Sequence, residues 1–125
     1  MHDEIEGAWC GCEGGPANCC QPFCPYYHYT MELVGRRWTG AIIRALMEGL
    51  TRFGELRDTI PDISDRMLSE RLKELEAEGI ATRTVIPDTP VRIEYRLTPK
   101  GRDLDGVIQA SLGWAHRWLH EPVAR

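Results

Sequence analysis

Residues 52–80 read RFGELRDTIPDISDRMLSERLKELEAEGI, and this stretch carries the clearest signals of local structure in the chain. It contains two helical segments, Phe53–Thr59 and Asp65–Glu78. Pro61 ends the first segment because proline cannot continue a helix, and Ser64 is a favoured N-cap for the second. The apolar residues of the second segment recur at i, i+4 and i+7, which is the spacing of one buried face: Leu68, Leu72 and Leu75. Two short helices joined by a tight turn predict a helix-turn-helix.

After Ile80 the apolar period changes from helical to two, which is typical of strands. Residues Ala81–Ile86 and Val91–Leu97 are strand-like, and the turn-forming sequence PDTP at 87–90 joins them. This pattern predicts a β-hairpin with a four-residue loop. A helix-turn-helix followed by a hairpin is a winged helix-turn-helix. We also expect a short strand at Leu50–Arg52 that joins the hairpin as a third strand.

Helices flank this unit on both sides. Pro25 suits a first helical position, so one helix is expected from Pro25 to Gly35, and another from Arg37 to Glu48 before Gly49. Thr98-Pro99 begins a last helix that continues to about His120. The predicted class is mainly α with a small β-hairpin wing (α+β), in one domain over residues 25–122. A chain of 125 residues leaves no room for two domains of ordinary size.

The first 24 residues differ from the rest in charge and in cysteine content. They hold four acids and no Lys or Arg, whereas 15 acids and 15 bases follow, so the net charge of −4 belongs to this segment. All five cysteines also lie there, among glycines and prolines without helical or strand periodicity. We therefore expect residues 1–24 to be a Cys-rich tail that is flexible or responds to metal or redox state.

The odd cysteine number argues against a structural disulfide framework. The candidate metal ligands are Cys10, Cys12, Cys19, Cys20 and Cys24. Four or five thiolates suit Zn²⁺, Cu⁺ or an iron–sulfur cluster, although the spacing is not the pair of CxxC knuckles usual for zinc. Thiol redox chemistry without a metal and a tail with neither role are the alternatives.

The side of the second helix opposite the leucines carries polar and basic residues. A recognition helix places its N-terminal part in the major groove, where an arginine can pair with guanine O6 and N7. We expect Arg66 to have that role. The candidate DNA-binding residues are Ser64, Arg66, Ser69, Arg71 and Lys73 on this helix, Arg92 on the wing, and Arg37 and Arg52 as phosphate contacts. Arg83 and Arg96 are further candidates on the wing, and a solvated face of mixed charge is the alternative.

The sequence resembles the HxlR-type bacterial transcriptional regulators, which are relatives of the MarR type. The matching strings are Cys24-Pro25, ELVGRRWTGAIIRAL (32–46), residues 52–80 quoted above, PVRIEYRLTPKGRDL (90–104) and Trp114. The resemblance implies a homodimer that binds inverted repeats near promoters, usually as a repressor. Asp65 and Glu70 depart from the neutral or basic residues expected on the recognition helix of this family.

The resemblance also implies that the first and last helices form the dimer interface. The expected interface residues are Tyr26, Tyr29, Leu33, Leu112, Trp114 and Trp118. Independently, the last helix has a longer apolar stripe than one small core needs. The alternative is that its tryptophans pack onto the first helix of their own chain.

Cys24 matches the position at which several regulators of this family sense oxidants or electrophiles. A thiol at a helix N-terminus meets the positive end of the helix dipole, which favours the thiolate. A redox sensor at Cys24 is therefore one hypothesis, and a small buried residue at a helix start is the alternative. A third possible signal is a small aromatic ligand bound among the Tyr and Trp residues of the dimer interface.

Other classes of function fit less well. No CxxC beside a βαβ unit, no phosphate-cradling glycine loop and no Ser–His–Asp set is present, so we expect no enzyme. The sequence also lacks a transmembrane span and a secretory signal, which predicts a cytoplasmic, nucleoid-associated bacterial protein with no membrane partner. A winged-helix interaction module that does not bind DNA is the remaining alternative.

Overall fold

The computed structural model describes residues 22–120. The helices are α1 (Pro25–Val34), α2 (Thr39–Met47), α3 (Phe53–Thr59), α4 (Asp65–Ala77), α5 (Pro99–Arg102) and α6 (Asp105–Trp118). The strands β1 (Ala81–Ile86) and β2 (Arg92–Leu97) lie between α4 and α5. The described residues divide into two compact units, one up to Thr39 and the other from Gly40, and the winged helix-turn-helix lies in the second unit.

In the first unit, α1 begins after Cys24, whose backbone is extended at the N-cap position. Pro25 occupies the first turn, as predicted, and none of the ten residues of α1 is buried. Trp38 has a φ of +76°, so the backbone there is left-handed. The prediction that the next helix begins at Arg37 is therefore wrong: α2 starts at Thr39, because a left-handed residue cannot continue a right-handed helix.

The core of the second unit gathers the apolar faces of α2, α3 and α4 around the start of β1. Its buried apolar residues are Ile42, Ile43, Ala45, Leu46, Leu56, Ile60, Ile63, Leu68, Leu72, Leu75, Ile80, Ala81 and Leu97. The three leucines predicted for α4 are all among them. In α2 the buried face includes Ile43, whereas Ala41 is exposed.

The turn between α3 and α4 is built from local capping. The Oγ of Ser64 accepts a hydrogen bond from the backbone N–H of Met67 at 3.0 Å, which confirms Ser64 as the N-cap. Asp62 adopts a left-handed φ of +66° in the turn, a conformation that Asp tolerates better than most residues. The polypeptide thus reverses between α3 and α4, and the Ser64 cap satisfies one of the first backbone donors of α4.

The wing is an antiparallel hairpin in which Ala81 pairs with Leu97 and Ile86 pairs with Arg92. Within residues 22–120 the sheet has these two strands, so the predicted third strand at Leu50–Arg52 is not formed. One contact of that kind exists: the carbonyl of Thr51 accepts a hydrogen bond from the N–H of Tyr95 at 2.8 Å. A single bond does not make a strand, because a strand needs a repeated ladder.

The last helix is interrupted, contrary to the prediction of one continuous helix from Pro99. Thr98 caps α5 by accepting from the N–H of Gly101, and Leu104 then donates to the carbonyl three residues back, as in a 3₁₀ turn. Helix α6 begins only at Asp105. Gly101 packs against the carbonyl of Ile80 so closely that a Cβ would collide with it, which anchors α5 to the wing base. Among the described residues, no helix is sufficiently long and apolar to span a membrane.

Candidate nucleic-acid interface

Helix α4 presents a polar face directly opposite its buried leucines. Arg66 on that face has 88% of its side chain exposed. Ser64 and Lys73 are also exposed, and Ser69 is half-buried. The structure therefore brings four of the predicted contact residues to the outer side of one helix, where they are available to a partner.

The two acids that depart from the family pattern are each paired with an arginine. Asp65 Oδ1 lies 3.5 Å from Arg57 Nη1 on α3, and Glu70 Oε1 lies 3.2 Å from Arg66 Nε one turn earlier on α4. Hydrogen bonding to Asp58 and the charge of Asp65 raise the pKa of Arg57 further above its ordinary value, so Arg57 stays charged. The acidic residues of α4 are thus locally compensated rather than facing a partner as bare charges.

Arg71 is less available than the sequence suggested. Only 15% of its side chain is exposed, and its Nη1 lies 2.9 and 3.1 Å from the two carboxylate oxygens of Glu74. The partly covered pair holds the guanidinium against the flank of α4. Arg71 therefore supports the helix, and Arg66 and Lys73 are the freer bases on it.

The predicted phosphate contacts lie in different units. Arg52 is exposed at the N-cap of α3, in the second unit, and its N–H donates to Glu55 Oε1 at 3.0 Å. The N–H groups of Arg52 and Thr51 hold the pKa of Glu55 below its ordinary value of 4.5. Arg37 belongs to the first unit, where its guanidinium lies over the Trp38 ring, 4.8 Å from the centroid.

Arg92 on the wing is held between two acids. Its Nη1 lies 3.1 Å from Asp88 Oδ2 in the loop, and its Nε lies 3.4 Å from Glu94 Oε2 on the same strand. The side chain is 37% exposed. Sequence reasoning missed these partners, although the alternation of charge at positions 92, 94 and 96 was a visible signal. The rest of the wing tip is apolar, since Val85 and Val91 are 51% and 63% exposed.

Of the predicted thiol and metal residues, Cys24 is described and Cys10, Cys12, Cys19 and Cys20 lie outside the described residues. Cys24 is a half-buried thiol at the N-cap of α1, and its carbonyl accepts from the N–H of His28 at 2.9 Å. Between residues 22 and 120, no group of three or more His, Cys, Asp or Glu side chains is placed to hold a metal ion.

The predicted dimer residues leave apolar surface uncovered on each helix. In α1, Tyr26, Tyr29 and Leu33 are half-buried. In α6, Leu112 is half-buried, whereas Trp114 and Trp118 are 56% and 62% exposed. No residue of α6 is buried, although the helix is 14 residues long.

This architecture is that of a winged helix-turn-helix transcriptional regulator, with a polar recognition helix and a hairpin wing. A model of the HxlR-like helix-turn-helix family matches residues 33–122. The chain therefore belongs to this family of DNA-binding transcriptional regulators, and the predicted resemblance and fold class are confirmed.

Two relatives that are more than 40% identical to this chain are found in Bacillus subtilis (strain 168). The uncharacterized HTH-type transcriptional regulator YvaP is 45% identical over 96 residues, which cover 77% of this chain and 89% of YvaP. The HTH-type transcriptional regulator YodB is 48% identical over 95 residues, covering 76% of this chain and 85% of YodB.

Solved structures agree with these sequence matches. The reduced form of YodB superimposes with a TM-score of 0.71 at 46% identity, covering 81% of this chain and 99% of that one. YodB has also been solved after diamide treatment and with quinone bound. The redox regulator HypR in its oxidized form gives a TM-score of 0.71 at 34% identity, covering 78% of this chain and 99% of that one.

Proposed function

We propose that this regulator binds an inverted repeat in double-stranded DNA as a homodimer and represses the adjacent promoter. Helix α4 enters the major groove, and the wing lies along the neighbouring backbone or minor groove. The observation that carries the proposal is the polar face of α4, with Arg66 88% exposed on the side opposite three buried leucines. A helix packed in this way can meet a groove without disturbing its own core.

The acids on α4 are compatible with this function because their ion pairs are exposed and exchangeable. An exposed pair contributes only about 0–1 kcal/mol, so DNA can replace it at small cost. When Arg66 turns to a guanine, Glu70 loses a partner that lies 3.2 Å away, and one of its oxygens becomes available to a donor on a base. Both residues then contribute to sequence preference.

Dimerisation through α6 is supported by the unburied apolar stripe of that helix. Trp114 and Trp118 are more than half exposed, and such side chains usually anchor an interface. A two-fold dimer presents two copies of α4 related by symmetry, and its matching DNA site is an inverted repeat. We propose that α1, with half-buried Tyr26, Tyr29 and Leu33, completes the same interface.

The signal that we propose is modification of the Cys24 thiol by an oxidant or electrophile. Its support is the place of Cys24 at a helix start, together with two relatives: YodB, which has been solved with quinone bound, and the redox regulator HypR. With a quinone, the thiolate sulfur forms a C–S bond to a ring carbon. The electron pair reduces the ring to a hydroquinone, whose two oxygens take up one proton from solvent and one from the attacked carbon.

The tail cysteines provide a second form of the same proposal. Bound Zn²⁺, Cu⁺ or an iron–sulfur cluster would couple the tail to metal or redox state, since these ions and clusters prefer thiolate ligands. A small aromatic ligand at the α6 tryptophans is the alternative signal, because their rings are exposed in the single chain.

Fluorescence anisotropy on promoter DNA tests the DNA-binding function. Arg66→Ala should weaken binding by about 1–3 kcal/mol, whereas Arg44→Ala, which removes an exposed arginine outside α4 and the wing, should change it little. Equal affinity for all three proteins would contradict the placement of α4 in the groove. No salt-dependent binding to any inverted repeat would contradict the function itself.

The same assay tests the signal. Reduced anaerobic protein, protein treated with diamide or benzoquinone, and Cys24→Ser are compared, with metal content measured on each sample. Loss of binding in the treated wild type but not in Cys24→Ser supports the thiol sensor. Loss in both proteins, together with release of metal, assigns the signal to the tail. Equal binding in every state excludes both.

A further inference from the structure

Strand β2 of the wing carries a charged array formed by Arg92, Glu94 and Arg96. Separate contacts of each arginine with DNA do not explain why a glutamate lies between them. Side chains alternate along a strand, so residues 92, 94 and 96 of β2 share one face of the hairpin. In the register, Arg92, Glu94 and Arg96 lie opposite Ile86, Thr84 and Thr82 of β1. The charges on this face of β2 therefore run plus, minus, plus, with threonine hydroxyl groups beside them.

Glu94 joins the two arginines. Its Oε2 lies 3.4 Å from Arg92 Nε, and its Oε1 lies 2.9 Å from Arg96 Nη2. The carboxylate side chain is only 14% exposed, whereas Arg92 and Arg96 are 37% and 58% exposed. Glu94 is thus the covered centre of the array, and the arginines form its outer parts.

Arg92 is held more firmly than Arg96, because the loop adds a second acid. Asp88 Oδ2 lies 3.1 Å from Arg92 Nη1. The Arg92 Nε is buried and makes no hydrogen bond of good geometry, so charge attraction to Glu94 is what compensates it.

We propose that Glu94 is a positioning residue for DNA recognition, which sets the geometry of Arg92 and Arg96 and limits the net charge of the wing face. This inference rests on the proposed DNA-binding function. Two arginines held by one shared carboxylate contact DNA at fixed places, and Glu94 lowers the net charge of the group by one. Such a wing gains less from phosphates at random sites and more from a site whose backbone or groove matches the fixed geometry.

The physical reason is that phosphate attraction is independent of sequence, whereas geometry is not. Each additional phosphate neutralised steepens the dependence of log K on log salt by about 0.9. Removal of the Glu94 carboxylate adds one positive charge to the wing face, releases the Arg96 guanidinium and leaves Arg92 held by Asp88 alone. Affinity for random DNA then rises while discrimination falls, and a merely structural residue would not move these two quantities in opposite directions.

Anisotropy titrations on promoter DNA and on random DNA over a range of salt concentrations provide the test. Glu94→Gln keeps the size of the side chain and removes its charge. We expect its affinity for random DNA to rise about threefold or more, its salt slope to steepen by up to about 0.9, and its promoter-to-random ratio to fall by a similar factor. Glu48→Gln is the matched control, since it removes the same charge from an exposed position on another segment and should leave the ratio unchanged.

Glu94→Asp separates position from charge. It keeps the carboxylate but shortens its reach by one methylene, so it cannot span both arginines. We expect the ratio of its affinity for promoter DNA to its affinity for random DNA to fall, while its affinity for random DNA does not rise. The proposal is overturned if Glu94→Gln gives the same affinities for promoter and random DNA as Glu48→Gln, and Glu94→Asp gives the same affinities as the wild type.

A measurement without DNA keeps the inference distinct from the proposed function. The Nε–Hε NMR signals of Arg92 and Arg96 in the free wild type should be dispersed, and those in folded Glu94→Gln should move to the position of a mobile arginine. Unchanged signals refute positioning by Glu94. A wild type that shows these signals but binds no DNA refutes the proposed function instead.

Discussion

Helices α4 and α6 have nearly equal length, 13 and 14 residues, and both carry an apolar stripe at helical spacing. Helix α4 buries Leu68, Leu72 and Leu75 almost completely, whereas α6 buries none of its residues. Similar apolar stripes on two helices thus differ in whether the single chain buries them. The leucine stripe of α4 belongs to the core of its own chain, whereas the stripe of α6, with two exposed tryptophans, is largely uncovered in the single chain.

An amphipathic pattern therefore predicts that one face of a helix is buried, but it does not specify which surface covers that face. The core around α4 does not need residues of α6, because the α4 leucines are almost fully buried while no residue of α6 is buried. Substitutions in the α4 stripe should therefore lower the free energy of unfolding, and substitutions in the α6 stripe should mainly raise the dimer Kd.

Leu72→Ala should cost the most. Leu72 is 1% exposed, and removal of a buried leucine side chain destabilises a protein by about 2–5 kcal/mol through lost burial and a residual cavity. Urea unfolding at low protein concentration measures this loss. The matched variant is Leu112→Ala on α6, where the half-buried leucine should cost clearly less. Equal losses would break the comparison.

Trp118→Ala should mainly weaken self-association. A tryptophan that anchors an interface contributes about 2 kcal/mol or more, which raises the dimer Kd roughly thirtyfold. Sedimentation over a dilution series measures this shift, and the far-ultraviolet spectrum of the monomer should stay unchanged. Val91→Ala, at an exposed apolar position on the wing, serves as the control. A wild type that is monomeric at all concentrations would contradict the assignment of α6.

Ser64→Ala should have a smaller effect, about 1 kcal/mol of unfolding free energy, because it removes the side-chain acceptor for the N–H of Met67. Ser111→Ala on α6 is the control, since the Ser111 hydroxyl only donates back to the Val107 carbonyl within an exposed helix. Thermal melts of both variants make the measurement. A larger loss at Ser111 than at Ser64 would reverse the expected contrast between the two helices.

The smallest effect is a pH dependence at the start of α3. Two backbone N–H groups hold the pKa of Glu55 below 4.5, so the unfolded state binds a proton on Glu55 at a higher pH than the folded state does. The contribution of this carboxylate is therefore present above its unfolded pKa and is lost as the pH falls through its folded pKa. The stability difference between wild type and Glu55→Gln should shrink from pH 7 to pH 3. A difference that stays constant over this range would contradict the linkage.

Much of the fold follows from local signals. Ser64, Thr98 and Pro25 mark helix starts correctly because capping and proline geometry depend on a few neighbouring residues. The errors occur where longer-range contacts decide. Helix α2 starts late because Trp38 is left-handed, and the third strand is replaced by the single Thr51–Tyr95 hydrogen bond.

The candidate site was predicted in its main residues but not in their pairing. The sequence placed Arg66 and Lys73 on the outer face of α4, since helical spacing opposite the leucines requires it. It gave no indication that Arg71 would be nearly covered against Glu74 or that Arg57 on another helix would compensate Asp65. Ion pairs between side chains depend on rotamers and on the approach of separate elements, which spacing alone does not specify.

The order of the elements in the winged helix-turn-helix follows from the sequence alone, because caps, turn residues and two apolar periods define each element. Membership of the HxlR-like family rests on the matching strings and on the family model over residues 33–122. Only the tertiary structure decided which apolar stripe closes the core and which stays uncovered. It also decided that Glu94 holds the two arginines of the wing face. The reason is that burial depends on neighbours that folding brings together from distant parts of the chain. Charge pairing depends on the rotamers that side chains adopt in the folded strand, even when the partners are two residues apart on one face.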